Sequence, residues 1–183
     1  HSLTSRRACD EAQDSIVVAL ASLAERRDVE TGRHLDRVTR FSLILARELR
    51  QEPTYSAVLD DRFLRELEQA VPLHDIGKVA MPDHILLKPG RLTSTEREIM
   101  KTHAAIGAAT LRSVIERAPG AHFLRMAEQI ACGHHEWYDG SGYPRGVCGA
   151  DIPLAARIVA LADVYDALTS KRVYKQAYSH ERA

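Results

Sequence analysis

The chain has 183 residues, of which 45% are hydrophobic and 27% charged, a composition typical of a globular domain with one sizeable core. Lysine and arginine together number 25, as do aspartate and glutamate, so the formal net charge is zero. This balance argues against a protein that binds along a nucleic-acid polymer, which needs a basic surface, so any attraction for anions must be local.

Cysteine usage and hydropathy bear on the compartment in which the protein works. The three cysteines, Cys9, Cys132 and Cys148, show no C-x-x-C spacing, which argues against a disulfide framework or a thiolate zinc site and favours a reducing compartment. No apolar run approaches the roughly 18 residues that a membrane-spanning helix requires, and the first residues do not match a signal peptide. We therefore expect a cytoplasmic protein without a membrane span.

In the first half of the chain, apolar residues recur every three or four positions, which is the period of α-helices. Residues 5–27 are predicted to form an entering helix. A second helix is predicted over 33–51, and a third over 59–71, which leads directly into His74. Glycines and prolines between positions 77 and 90 then predict a loop.

The second half opens with a helix-start signal. Thr93 followed by Glu96 matches a capping box, which predicts a long helix that ends before Pro119. The apolar stripe predicted for this helix carries His103 together with the following residues: Ile99, Ile106, Leu111 and Val114. A further helix is predicted to begin near Phe123 and to run into His134 and His135.

The last predicted elements are a loop and a helix. Residues 136–151 are rich in glycine, which is typical of a loop, and Pro153 suits the first turn of the helix that follows. That helix should run to about Leu168, with an apolar side that carries four residues: Ile158, Leu161, Ala162 and Tyr165.

These elements predict the class of fold. No stretch alternates with a period of two and aromatic residues make up 5% of the chain, so signals for strands are weak. We predict an all-α protein, a single compact domain of six or more helices around a buried metal site.

Acidic residues and histidines interrupt the predicted apolar faces. A buried charge must pair or bind a metal ion, and carboxylates with neutral imidazoles cannot satisfy one another. Nitrogen and oxygen ligands without thiolate favour iron, manganese, zinc or nickel. The residues so placed, which are candidate ligands, include Glu30, His34, His74, Asp75, His103, His134, His135, Asp163 and Asp166.

The sequence contains seven short motifs, five of which include these residues. In chain order they are E-T-G-R-H (30–34), H-D-I-G-K (74–78), K-P-G (88–90), K-T-H (101–103), H-H-E (134–136), D-G-S-G-Y-P (139–144) and A-D-V-Y-D-A-L-T-S-K-R-x-Y-K (162–175). This series resembles the HD-GYP family of cyclic di-GMP phosphodiesterases, which is a branch of the HD superfamily of metal-dependent phosphohydrolases. The resemblance covers roughly residues 28–178 and implies a catalytic domain over 28–183, with its C-terminal helix truncated. Residues 1–27 would then form an entering helix or linker from an upstream regulatory domain.

The resemblance implies two or three divalent metal ions, with iron or manganese expected and zinc or nickel as alternatives. One ion would be held by residues matching His34, His74, Asp75 and Asp163. The second would be held by residues matching His103, His134 and His135, with Asp75 as a bridge. Glu30 matches the ligand of a third ion, which only some members of the family have.

The resemblance also implies catalytic and substrate-binding residues. Lys78 matches a lysine that acts at the scissile phosphate, and Asp75 is expected to be catalytic as the bridging ligand. Arg172, Lys175 and Tyr143 match positions expected to contact the substrate. Asp166 is expected to be structural or to orient a ligand.

The implied function is hydrolysis of cyclic di-GMP to pGpG, and then to GMP if cleavage continues, by a metal-activated hydroxide in bacterial second-messenger signalling. The implied partners are the substrate, an upstream receiver or sensor domain, and a diguanylate cyclase that would meet the loop at 139–144.

Other functions and simpler structural roles stay open. The domain could be a slow or silent cyclic di-GMP sensor or a docking module, an HD hydrolase for another nucleotide, or a di-iron centre with oxidative chemistry. Taken alone, His103 would be a hydrogen-bonded core histidine, and Glu30 with His34 a solvated pair. Lys78 could be a surface lysine, and Arg172 with Lys175 part of a solvated face.

Overall fold

Helices form all the regular secondary structure of the computed structural model, which describes residues 19, 21, 33–117, 120–170 and 177–183. Within these ranges the α-helices are α1 (His34–Leu49), α2 (Pro53–Ser56), α3 (Asp61–Ala70), α4 (Asp83–Leu86), α5 (Ser94–Arg117), α6 (His122–Gly133) and α7 (Leu154–Thr169). Short 3₁₀ turns lie at Val71–Leu73, Ile76–Ala80, Gly149–Asp151 and His180–Arg182. The all-α prediction is confirmed, since no strand occurs in the described ranges.

Several predictions fall outside the described residues. They are most of the entering helix at 5–27, the third-metal ligand Glu30, and the substrate contacts Arg172 and Lys175. No helix in the part of the chain that the structure describes is long and apolar enough to cross a membrane.

The predicted helix boundaries agree closely with the observed ones. The helix predicted over 33–51 is α1, and its buried face includes Val38, Leu43 and Ala46. The predicted capping box is present at the start of α5, where the Thr93 backbone N–H donates to Glu96 Oε2 (2.8 Å) and the Glu96 backbone N–H donates to Thr93 Oγ1 (3.3 Å). These bonds satisfy donors that a helix start would otherwise leave without acceptors.

Three apolar residues assigned to buried faces are in fact exposed. Ile99 and Val114 on α5 are 39% and 41% exposed, because the middle of this long helix is what packs, through Ala104, Gly107, Ala108 and Leu111. Leu161 on α7 is 59% exposed. The helical period was correct, but the width of the buried face was overestimated.

The core is formed where α6 packs against α3, α5 and α7, while α1 packs against α7 and α3. Its buried side chains come from all of these helices and include Val38, Leu67, Leu111, Ile130 and Val159. Burial of such side chains from water is the main force that holds the helices together. The histidines and carboxylates of interest therefore sit on helices whose positions are fixed by the core.

Gly77 brings the 3₁₀ turn at Ile76–Ala80 into direct contact with the middle of α5. A Cβ at this position would lie 2.6 Å from the Gly107 nitrogen and even nearer to the carbonyl oxygen of His103. Glycine alone permits such a close approach of two backbones. This contact holds the residues just before Gly77 beside His103.

Candidate metal centre

Five separate parts of the fold supply the predicted ligands. The first turn of α1, the connection after α3, the middle of α5, the end of α6 and the middle of α7 all contribute. These places hold, in chain order, His34, His74 with Asp75, His103, His134 with His135, and Asp163.

His74 and Asp75 lie between two 3₁₀ turns, at the point where α3 can no longer continue. Pro72 lies in the first turn and Gly77 in the second, so the chain tightens after Ala70. Asp75 has φ −103° and ψ 13°, outside the α-helical region. As a result the side chains of these two adjacent residues point toward the same site, and His74 Nε2 lies 3.3 Å from Asp75 Oδ2.

The described ligands form two groups, each with potential donor atoms within 4.8 Å of one another. One group is His34, His74 and Asp163, and the other is Asp75, His103, His134 and His135. This division coincides with the two ion sites that the sequence motifs implied.

Asp75 faces both groups, one through each carboxylate oxygen. Its Oδ2 lies 3.3 Å from His74 Nε2, whereas its Oδ1 lies 3.2 Å from His103 Nε2 and 3.6 Å from His134 Nε2. A carboxylate placed in this way can bind one cation with each oxygen. The geometry is therefore suited to a pair of ions joined by Asp75.

Main-chain carbonyls fix the orientation of three imidazoles. Nδ1 of His74 lies 2.9 Å from the Val71 carbonyl oxygen, and the carbonyls of Met100 and Ile130 play the same part for His103 (2.7 Å) and His134 (3.0 Å). A carbonyl can only accept, so each Nδ1 carries the proton. Nε2, the other nitrogen, then points inward.

These inward nitrogens give a direct test of whether metal ions fit. Among the described residues, Nε2 of His74, His103 and His134 is buried and has no hydrogen-bond partner, and neither has Asp75 Oδ1. Buried polar atoms without partners are costly in free energy. Divalent cations would satisfy all of them at once, and imidazole with carboxylate is a donor set that such cations accept.

His34 is held differently, by a side chain. Its Nδ1 lies 2.7 Å from Asp166 Oδ2, and its Nε2 lies 3.6 Å from Asp163 Oδ1. Arg37 donates to both oxygens of Asp166, and Ser170 Oγ donates to one of them. Burial raises the pKa of Asp166, but the hydrogen bonds from Arg37 and His34 outweigh it, so the pKa lies below its usual value.

The electrostatics of the site favour a cation at its centre. Burial lowers the pKa of His74, but the negative charges of Asp75 and Asp163 outweigh burial and raise it to about 9. The same field that favours a proton at His74 favours a metal cation there. Burial raises the pKa of Asp75, yet Lys78 and His74 bring it well below the usual value, so the carboxylate is ionised.

In the group formed by Asp75, His103, His134 and His135, the pKa values of two histidines are lowered. Burial, assisted by His134 and His103, lowers the pKa of His135 to about 2. Burial also lowers the pKa of His134, against the opposing effect of Asp75. Both imidazoles are therefore neutral near pH 7, which is the form that binds a metal.

A cavity of about 220 Å³ opens beside the two groups. Its polar lining residues are Asp75, Lys78, His135 and Asp163. Its apolar lining residues, Val164, Ala167 and Leu168, all belong to α7. A ligand in this cavity would therefore meet both charged and apolar side chains.

Lys78 and Tyr143, two of the predicted functional residues, lie at the edge of the site. Lys78 Nζ is 2.8 Å from Asp75 Oδ2. The ring of Tyr143 stacks on His135, with 4.7 Å between the ring centroids. The Tyr143 backbone N–H donates to the His135 carbonyl (3.1 Å), which folds the glycine-rich loop back over the histidine.

Sequence reasoning assigned no role to Arg37 and Glu136. Arg37 follows His34 by three residues on the same face of α1, and that spacing was the available signal. Glu136 belongs to the H-H-E motif, is 4% exposed, and accepts the backbone N–H of Arg145 (2.7 Å). It thereby anchors the far end of the loop that carries Tyr143. The apolar residues that line the cavity were also not identified from the sequence.

Comparison with known proteins identifies the family. The family model described as HD domain matches residues 17–183. The chain is 52% identical to a probable cyclic di-GMP phosphodiesterase of Vibrio cholerae serotype O1, over 95% of this chain and 40% of that protein. It is 42% identical to a cyclic di-GMP phosphodiesterase response regulator of Xanthomonas campestris pv. campestris, over 99% of this chain and 44% of that protein.

A further relative carries a different substrate in its name. The chain is 40% identical to a 3′3′-cGAMP-specific phosphodiesterase of Vibrio cholerae serotype O1, over 94% of this chain and 30% of that protein. The chain thus spans less than half the length of each of these relatives. From the family match, the relatives and the shared motifs, the chain belongs to the HD domain family, in its HD-GYP group.

Proposed function

We propose that this domain hydrolyses the phosphodiester bonds of cyclic di-GMP, giving pGpG, at a pair of bound divalent metal ions. The observation that carries the proposal is the position of Asp75 between two groups of ligands, with one oxygen toward each. Similarity to proteins named as cyclic di-GMP phosphodiesterases supports the choice of substrate. Whether cleavage continues to GMP is an outcome of the assay below.

The proposed first ion is held by His34, His74, Asp163 and one oxygen of Asp75. The proposed second ion is held by the other group: the second oxygen of Asp75, with His103, His134 and His135. Nitrogen and oxygen donors without a thiolate suit iron and manganese, and also zinc or nickel. Glu30 remains our proposed ligand for a third ion.

When bound, the metal ions would supply a nucleophile near neutral pH, by lowering the pKa of a water, and would stabilise charge on the phosphoryl oxygens. Lys78 lines the cavity, where its ammonium group can donate hydrogen bonds to a phosphoryl oxygen. Asp75 holds this ammonium group at 2.8 Å, so Lys78 is oriented before a substrate arrives. His135 is kept in place by the ring of Tyr143.

The lining of the cavity suits a nucleotide, because it combines charged with apolar side chains. A phosphodiester would lie against the charged residues, and a sugar or base against Val164, Ala167 and Leu168. Arg172 and Lys175 are proposed to hold the rest of the substrate. The described residues that flank them support this, since the Ser170 N–H donates to the Asp166 carbonyl and the Tyr178 N–H donates to the Leu168 carbonyl, both on α7.

The proposal is tested by loading the chain with Mn²⁺ or Fe²⁺ under anaerobic conditions and following cyclic di-GMP by chromatography. We expect Asp75→Ala to abolish turnover and to lower the metal content. Lys78→Gln should leave metal binding intact but reduce kcat by about 10²–10³-fold, since it removes a donor to the charge that develops in the transition state.

The outcomes of this assay separate the candidate functions. Turnover that survives Asp75→Ala contradicts the proposed site. Tight binding of cyclic di-GMP by the metal-loaded chain without any turnover contradicts the enzyme and indicates a sensor. Asp61→Asn, which removes an exposed carboxylate paired with Arg50, is the matched control and should be fully active.

A second candidate is hydrolysis of a different cyclic dinucleotide. The specific observation in its favour is 40% identity to a protein named as 3′3′-cGAMP-specific. The two substrates differ in one base, so they would place the same phosphodiester at the metals. Parallel measurement of kcat/KM for both decides between them, and a ratio above tenfold for 3′3′-cGAMP would contradict our first choice.

We further propose a setting in the cytoplasm, with an upstream receiver or sensor domain. Support comes from the shorter length of this chain relative to its relatives, one of which is named a response regulator. The loop at 139–144 is proposed to meet a diguanylate cyclase, beside the exposed rings of Trp137 and Tyr138. Co-purification with a cyclase, lost when both rings are replaced by alanine, tests this partner.

A further inference from the structure

The histidines that face the centre differ in what holds their outer nitrogen. For His74, His103 and His134 the acceptor is a main-chain carbonyl of the same local segment, three or four residues earlier. For His34 it is the carboxylate of Asp166, which is 132 residues away in sequence. The direction of the His34 ring therefore depends on a side chain, and so can be altered by a single substitution.

Asp166 is itself held from several sides. It receives two hydrogen bonds from Arg37, one from the His34 ring, and one from Ser170 Oγ (3.2 Å). A carboxylate offers about four lone-pair sites, so these four donors fill it. Asp166 is 1% exposed and has no oxygen left over to bind a metal ion. Its place in the site is behind His34.

Two helices each contribute one predicted ligand and one supporting residue. α1 carries His34 and, three residues later, Arg37, while α7 carries Asp163 and, three residues later, Asp166. The hydrogen bonds among Arg37, Asp166 and His34 thus join the two helices beside one group of ligands. None of these bonds reaches the group formed around His103 and His134.

We propose that Asp166 is a positioning residue for one of the two metal sites, the one formed by His34, His74 and Asp163, and that Arg37 holds Asp166 in place. An anionic acceptor at Nδ1 orients the ring and makes Nε2 a stronger donor to a metal. The other site, which relies on main-chain carbonyls, does not depend on Asp166. This inference rests on the metal centre of the proposed function.

The expected effect of Asp166→Asn is selective. The variant keeps the size of the side chain but loses its charge and one acceptor oxygen, so it can no longer accept all four hydrogen bonds from His34, Arg37 and Ser170. Loss of a residue that orients a metal ligand weakens metal binding by about 10–100-fold. We expect this loss for the Mn²⁺ ion at the site formed by His34, His74 and Asp163. The affinity for the Mn²⁺ ion at the other site should be unchanged.

The experiment measures Mn²⁺ binding to the 183-residue chain by calorimetry, with the electron paramagnetic resonance spectrum as a second readout. In the original protein, two neighbouring ions should give a spin-coupled spectrum. At a Mn²⁺ concentration that fills only the tighter site, Asp166→Asn should show the spectrum of an isolated ion. Circular dichroism in EDTA checks that the fold is intact.

Two further variants make the test specific. Arg37→Gln should weaken the same equivalent to a smaller extent, and it serves alone if Asp166→Asn does not fold. Asp61→Asn, the exposed carboxylate remote from the site, should bind both ions as the original protein does.

The outcomes distinguish this inference from the proposed function. Two equivalents bound by Asp166→Asn with unchanged affinity, or both weakened equally, would overturn the inference alone. An original protein that binds no Mn²⁺ at all would overturn the metal centre as well.

Discussion

At the scale of single residues, the site depends on which atom of each side chain is left available. The motifs named the residues, and the structure brings His34, His74, Asp75, His103, His134, His135 and Asp163 together. The resemblance implied that Asp75 is a bridge, but its backbone conformation between two 3₁₀ turns, which aims the carboxylate, is visible only in the structure. Binding of metal by these residues stays a prediction.

A single methyl group at Gly77 should disturb the site from outside it. In Gly77→Ala the new Cβ would lie 2.6 Å from the Gly107 nitrogen, so the 3₁₀ turn would have to move away from α5. Overpacking of this kind costs about 1–3 kcal/mol. We expect urea denaturation in EDTA to show that loss, together with weaker Mn²⁺ binding because Asp75 moves relative to His103.

The matched control is Gly120→Ala, since a Cβ at Gly120 would meet nothing within 4 Å. It should leave the free energy of unfolding nearly unchanged. If Gly77→Ala were as stable as this control and bound Mn²⁺ as well as the original protein, the close approach would have no part in holding Asp75.

At the scale of elements, the helical period and the capping box located α1, α5 and α7 well, because both signals are local in sequence. The helical period and the capping box could not predict how wide the buried face of each helix is. Ile99 and Leu161 follow the apolar period but are exposed, since burial depends on which neighbouring helix is present and how far it extends. The apolar side chains of α7 that line the cavity were missed for the same reason.

The start of α5 should make stability depend on acid pH. Hydrogen bonds from Lys88 and from the Thr93 backbone lower the pKa of Glu96 from 4.5 to about 2. A pKa that is lower in the folded protein means that the ionised carboxylate stabilises the fold. This contribution is complete above pH 4.5 and is lost as the pH falls toward about 2.

The measurement compares urea midpoints of the original protein and Glu96→Gln. The original protein should be the more stable near neutral pH, and the difference should shrink as the pH falls below 4.5. Glu68→Gln, an exposed position on α3, controls for the loss of one carboxylate. A difference that stays constant down to the lowest pH at which the protein is folded would contradict this account of Glu96.

At the scale of the whole molecule, the fold brings five distant parts of the chain to one centre. Local sequence patterns predict the helices but not their mutual arrangement, which is set by the packing of α6 against α3, α5 and α7. The family motifs supplied that long-range information indirectly. The support of His34 by Asp166 could be foreseen only in outline, because His34 lies on α1 and Asp166 on α7.

Metal ions should therefore stabilise the folded protein markedly. Ions that bind only the folded state add about 2.7 kcal/mol per site at 100 times Kd. For a protein of this size each kcal/mol raises Tm by about 2–4 °C. With both proposed sites filled at 100 times Kd, we expect Tm to rise by about 10–20 °C when Mn²⁺ replaces EDTA, measured by circular dichroism.

Asp75→Asn is the matched control for that measurement, because it keeps the shape of the bridging side chain but removes its charge. Its Tm should respond to Mn²⁺ much less than that of the original protein. An equal rise in both proteins would mean that the stabilising ions bind elsewhere.

The main-chain acceptors of His74, His103 and His134 have an evolutionary consequence. A carbonyl belongs to every amino acid, so substitutions at Val71, Met100 and Ile130 cannot remove it, and these positions are free to vary within the limits of packing. Position 166 has no such freedom, because its acceptor is a side chain. Inherited variation should accordingly be tolerated behind three of these imidazoles and selected against behind the fourth.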